Sequence, residues 1–127
     1  MAAQTLDETI IIRMSGITIP LIDRGAQIAT TKRETLTTTR DDQESIRCEL
    51  VTTGEWPRSL AQLEVGVRRA PRGVPRAQLV LRLDADGSAY AELTAEHGMA
   101  QASFAVAIQV ISGSDSPRAG SRGQRVR

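Results

Sequence analysis

Apolar residues recur along this chain mostly at spacing two, the period of a strand with one buried face. Nowhere do they hold an i, i+3, i+4, i+7 stripe over three turns, so no helix is needed. The alternation predicts strands over residues 8–14, 17–23, 34–39, 45–51, 60–67, 77–83, 88–94 and 102–110, each bounded by Gly, Pro, Asp or Ser. About eight short strands of this kind predict an all-β fold, a two-sheet antiparallel β-sandwich. Ser15-Gly16 and Asp86-Gly87 sit where a tight hairpin wants positive φ, which glycine supplies without steric cost. Residues 24–30, 40–44 and 68–76 read as loops, the last because Pro71 and Pro75 remove backbone donors and break a sheet ladder.

At 127 residues the chain fits one domain, large enough to bury a core without disulfides or metals. The predicted division is a flexible stretch over 1–6, the sandwich over 7–111, and a disordered basic tail over 112–127. In that tail Arg118, Arg122, Arg125 and Arg127 stand against Asp115 alone. The formal charge of +1 gives no global field toward nucleic acid or an anionic membrane. Aromatics are 2% of the chain, so stacking platforms for single-stranded nucleic acid are missing too. Cys48 is the one cysteine, so an intrachain disulfide is impossible. Residues 1–8 have no positive, then apolar, leader pattern, and Ile10-Ile11-Ile12 is far too short to span a bilayer. A cytoplasmic protein without membrane or nucleic-acid partners is expected.

Catalytic groupings are weak. A hydrolase nucleophile needs a base within reach, and the one histidine, His97, lies in a predicted turn where an exposed, uncatalytic role is the ordinary one. Cys48 and His97 stand alone as metal ligands, and Asp84-x-Asp86 lacks the glutamate of a calcium loop, its twelfth position being Ala95. Gly66, Gly73 and Gly87 form no phosphate cradle leading into a helix. Neither an enzyme nor a cofactor is expected. Arg68, Arg69, Arg72 and Arg76 could grip phosphates but read more simply as a solvated loop. Trp56 could anchor a partner or lie over a sandwich edge. The paired apolar strands within residues 8–23 and 36–48 would suit an extended peptide if part of the sheet stays open, although core packing explains them as well.

Four strings in register add a family resemblance. They are Ile19-Pro20-Leu21-Ile22-Asp23-Arg24-Gly25-Ala26-Gln27-Ile28-Ala29-Thr30-Thr31-Lys32, Thr37-Thr38-Thr39-Arg40-Asp41-Asp42-Gln43, Ala70-Pro71-Arg72-Gly73-Val74-Pro75 and Leu83-Asp84-Ala85-Asp86-Gly87. Across roughly residues 7–110 the chain resembles the β-sandwich substrate-binding domain of the 70-kilodalton heat-shock chaperones, the DnaK type. The resemblance implies a shallow channel for a short, extended, apolar peptide. Its lining, carried over by position, would be Ile11, Arg13, Met14 and Ile17 from the first hairpin, then Leu36, Thr39, Gln43, Ile46, Cys48 and Ala77. Side chains at the Met14 and Thr39 positions would arch over the bound backbone, and Ile46 would floor a central leucine pocket.

The chain departs from the family at Arg13, Leu36, Thr39 and Ala77. Arg13 would bring positive charge to the rim and favour peptides with an acidic neighbour. No nucleotide-binding domain is expected before the sandwich and no helical lid after it, so the expectation is a lidless holdase or adaptor without ATP-driven cycling in cis. Its partners would be unfolded proteins or extended apolar peptides, with a separate ATPase chain as a candidate partner. Fast release is expected, with affinity no tighter than about −8 kcal/mol, roughly micromolar. Two alternatives stay open: a self-assembling homo-oligomer whose groove is filled by a neighbouring chain, and a remnant without a working groove.

Overall fold

The computed structural model describes residues 2–112; the expected tail beyond lies outside the described residues. Eleven strands follow in order: β1 (Ala2–Leu6), β2 (Thr9–Met14), β3 (Ile17–Ile22), β4 (Gln27–Ile28), β5 (Thr30–Thr37), β6 (Ser45–Thr53), β7 (Ser59–Gly66), β8 (Arg76–Leu83), β9 (Ser88–Ala95), β10 (Gly98–Ala105) and β11 (Ile108–Ser112). They form three antiparallel sheets, ordered β3-β2-β6-β7, β10-β9-β8-β5 and β11-β1-β4. The two four-stranded sheets make the expected all-β sandwich, and the small third sheet caps it.

The alternation that predicts the strands also sorts their faces. Ile10, Ile12, Ile46, Cys48, Leu50, Leu63 and Val65 from one sheet meet Leu36, Ala77, Leu79, Leu81, Leu83, Ala91 and Leu93 from the other in a single core. Each fully buried aliphatic side chain contributes about 1.5–3 kcal/mol, so this aliphatic core can hold the domain with few aromatics. Both predicted hairpin turns form, with φ of 45° at Ser15, 78° at Gly16 and 90° at Gly87. Gly87 has a second constraint, because a Cβ there would come 3.1 Å from the Val106 carbonyl oxygen. The β5 edge is guarded by the exposed charges Lys32 and Arg33, and the β3 edge by Pro20, which withholds a donor.

Three expectations need correction, all at places where pairing is remote in sequence. Residues 1–6, expected to be flexible, contribute strand β1: Ala2 pairs with Ser112 and Leu6 with Ile108, and Leu6 is only 1% exposed. Residues 27–28 inside a predicted loop pair with Gln4 and Thr5. The single strand expected over 102–110 is two, β10 and β11, broken where the Val106 N–H donates to the Gly87 carbonyl at 2.9 Å. Among the described residues the sandwich therefore has eleven strands where about eight are expected, the extra ones forming the small third sheet and dividing the 102–110 segment.

Candidate functional site

The site begins with a mismatch in strand length. β2 pairs with β6 from Thr9 opposite Thr53 to Arg13 opposite Glu49, and there the pairing stops. β6 continues for four residues, Ser45 to Cys48, paired with β7 on its other side only. The cause is the two-residue turn at Ser15-Gly16, which folds β2 back into β3 instead of prolonging the ladder.

Which main-chain groups this leaves open follows from the ladder's phase. The Val67 N–H donates to the Glu44 carbonyl at 2.9 Å. In an antiparallel pair hydrogen-bonded positions alternate, so Ile46 and Cys48 exchange bonds with β7, while Ser45, Arg47 and Glu49 turn their N–H and C=O groups toward β2. Arg13 stands opposite Glu49. The Ser45 carbonyl accepts from Gln43 Nε2 at 2.5 Å. Arg47 has no strand partner on that side among the described residues.

Beside this open edge lies a cleft of about 770 Å³, bounded by the hairpin tip at Arg13, Met14 and Ser15 and by the 40–44 loop. Its floor and remaining walls come from Ser45, Arg47, Cys48, Glu49 and Gln62. Gln43 holds the loop in place: its Oε1 accepts from the Thr39 N–H at 3.1 Å while its Nε2 reaches Ser45. Asp42 takes φ of 57°, a left-handed position that Asp tolerates. Glu44 is tied outward by an ion pair with Arg69, and Asp41 accepts from the Arg72 main-chain N–H at 2.9 Å.

The charges of the cleft largely answer one another. Arg13 lies 3.5 Å from Glu49, so the positive rim expected from Arg13 is already met by a carboxylate. The Glu49 carboxyl is held below its ordinary pKa, first by a hydrogen bond from Ser59, then by Gln62 and Arg13. Arg47 lies 3.7 Å from Glu64. Cys48 is 1% exposed, and burial pushes its thiol up to about 11, so it is a neutral packing group at neutral pH. His97 sits at an exposed turn beside Glu96, and among the described residues no cluster of three metal-ligating side chains exists. Nor is any helix there long and apolar enough to cross a membrane.

The ten residues carried over from the family resemblance are only partly brought together. Arg13, Met14, Gln43 and Cys48 line the cleft, and Thr39 joins it through Gln43. Ile46, Leu36 and Ala77 are 0%, 2% and 2% exposed, sealed in the core with no opening to the cleft. Ile17 is exposed at the hairpin, paired with Met14. Ile11 lies elsewhere, in a separate shallow depression with Val51 and Pro57. Ile10 and Ile12 point into the core, so Ile11 and Arg13 face the other way from Met14; Arg13 still reaches the cleft because it is the last residue of β2 paired with β6, whereas Ile11 lies two residues back, opposite Val51. Residue-by-residue reading missed Arg47, Glu49, Gln62 and the acidic loop positions. Alternation within β6 marks Arg47 and Glu49 as outward-facing, but nothing local marks the end of β2 pairing.

No protein-family model matches the chain. Chaperone protein DnaK of Mycoplasmopsis agalactiae is 40% identical over 78 residues, 57% of this chain and 13% of that protein. Chaperone protein DnaK of Ureaplasma urealyticum is 37% identical over 82 residues, 58% of this chain and 13% of its own length. The Heat shock 70 kDa protein of Penicillium citrinum is 38% identical over 78 residues, 57% of this chain and 15% of that protein. The chain thus resembles a chaperone substrate-binding domain, and the matched stretch is a small part of each relative.

Proposed function

We propose that this domain binds extended segments of unfolded or partner proteins, as a chaperone-like holdase or adaptor that hydrolyses no ATP itself. The observation that carries the reading is the open edge of β6 at Arg47, beside a cleft of about 770 Å³. An extended segment there would exchange main-chain hydrogen bonds with Arg47 and the Ser45 N–H, taking up the line that β2 leaves. The similarity to chaperone substrate-binding regions supports the same reading.

Three main-chain hydrogen bonds at about 1 kcal/mol each do not offset the 4 kcal/mol or more lost on association. Side-chain contacts must supply the remainder, so binding no tighter than about micromolar is expected. The test is fluorescence anisotropy with labelled heptapeptides beside the same peptides N-methylated at alternate backbone amides, which removes donors without changing side chains. Equal binding by methylated and unmethylated peptides in both methylation phases would refute strand-like docking. An open edge also accepts a strand from a second copy. Mass that rises with concentration in light scattering, and falls when peptide is added, would assign the cleft to self-association instead.

A further inference from the structure

We infer that the cleft takes a polar extended segment, rich in Ser, Gly, Asn and Gln, in preference to an aliphatic one; this rests on the peptide-binding reading and sets its substrate class. Two sets of observations carry it. The apolar side chains that would form a leucine pocket, Ile46, Leu36 and Ala77, are shut inside the core at 2% exposure or less. Of the thirteen residues lining the cleft, only Met14 and Cys48 are apolar, and these are 5% and 1% exposed. The remaining walls are guanidinium, carboxylate, amide and hydroxyl groups, among them Arg40, Asp42, Glu49 and Gln62.

An incoming leucine would therefore meet mainly the stems of polar side chains rather than an apolar pocket, and would strip water from charged groups that it cannot hydrogen-bond. A serine or glutamine side chain has both donor and acceptor, and replaces the displaced water at these same groups. Flexible polar tails and linkers present such side chains on an extended backbone.

The experiment compares two fluorescein-labelled heptapeptides of equal length and net charge, one with a Leu-rich centre and one with a Ser/Gln-rich centre, titrated with the native protein. The polar peptide is expected to bind about tenfold more tightly. Arg40→Leu combined with Gln62→Leu, both exposed positions, should narrow that ratio, with circular dichroism showing the fold unchanged. Equal affinities, or tighter binding of the Leu peptide, would overturn the polar preference while leaving the peptide-binding reading in place. If neither peptide binds, the peptide-binding reading falls and this inference falls with it.

Discussion

Ile46→Ala separates a sealed core position from the floor of an open pocket. Ile46 is 0% exposed and stands opposite Val65 in the ladder between β6 and β7. The substitution removes three carbons, a loss of about 2.4 kcal/mol at roughly 0.8 kcal/mol per methylene. The cavity left behind adds about 1 kcal/mol if the surrounding side chains close roughly half of it, at about 24 cal/mol per Å³. The expected destabilisation is about 3–4 kcal/mol, a large part of the roughly 5–15 kcal/mol typical of a domain. In urea, with a slope of about 1.5–2 kcal/mol/M, the midpoint should fall by about 2 M. Far-UV circular dichroism is the suitable probe, because Trp56 is 83% exposed in the folded state and its emission would change little. Peptide affinity, measured where the variant is folded, should stay within about twofold of native. A destabilisation below about 1 kcal/mol with loss of peptide binding would show that Ile46 faces a ligand, and would refute the sealed-core reasoning.

Gln43→Ala removes both the acceptor for the Thr39 N–H and the donor to the Ser45 carbonyl, so Thr39 should exchange its amide proton faster and peptide affinity should drop severalfold. Glu8 Oε2 accepts from Arg58 Nη2 and from the Ala107 N–H, both at 2.7 Å, so Glu8→Ala should cost about 1–3 kcal/mol in chemical denaturation. Gly87→Ala combines φ of 90° with a 3.1 Å approach to the Val106 carbonyl oxygen, and should lower stability by about 2 kcal/mol or more. For Cys48 the folded pKa of about 11 lies above the ordinary thiol value of 9.0, so the folded state keeps its proton where the unfolded state loses it. Stability should therefore be complete below pH 9 and fall as pH rises from 9 toward 11, a decline that Cys48→Ser should remove.

Much of the sandwich is legible in the residues alone. Alternation through Ile46, Cys48 and Leu50, and through Ala77, Leu79, Leu81 and Leu83, gives both the strands and the faces they bury, because a strand's side-chain period is independent of its partners. Ser15-Gly16 and Asp86-Gly87 mark their turns through local φ requirements. The heat-shock resemblance points to the hairpin tip and the 40–44 loop, which border the cleft. The same alternation also holds the information that separates Ile11 and Arg13 from Met14, which residue-by-residue transfer from a family overlooks.

Tertiary structure decided the rest, wherever a partner lies far along the chain. β1 is a strand because Ala2–Leu6 meets Ile108–Ser112, a pairing about a hundred residues distant that Ala-Ala-Gln-Thr-Leu does not announce by itself. Arg13 has a carboxylate beside it because Glu49, thirty-six residues away, stands opposite it in the ladder. Whether Ile46 opens to a ligand depends on how closely the second sheet packs over it, and here that packing shuts it in. The open edge at Arg47 arises only where β6 outruns β2, a difference between two strands that neither contains. Local sequence sets period and turn because those depend on a residue's own backbone; the site depends on where pairing ends, which is a property of the assembled sheet.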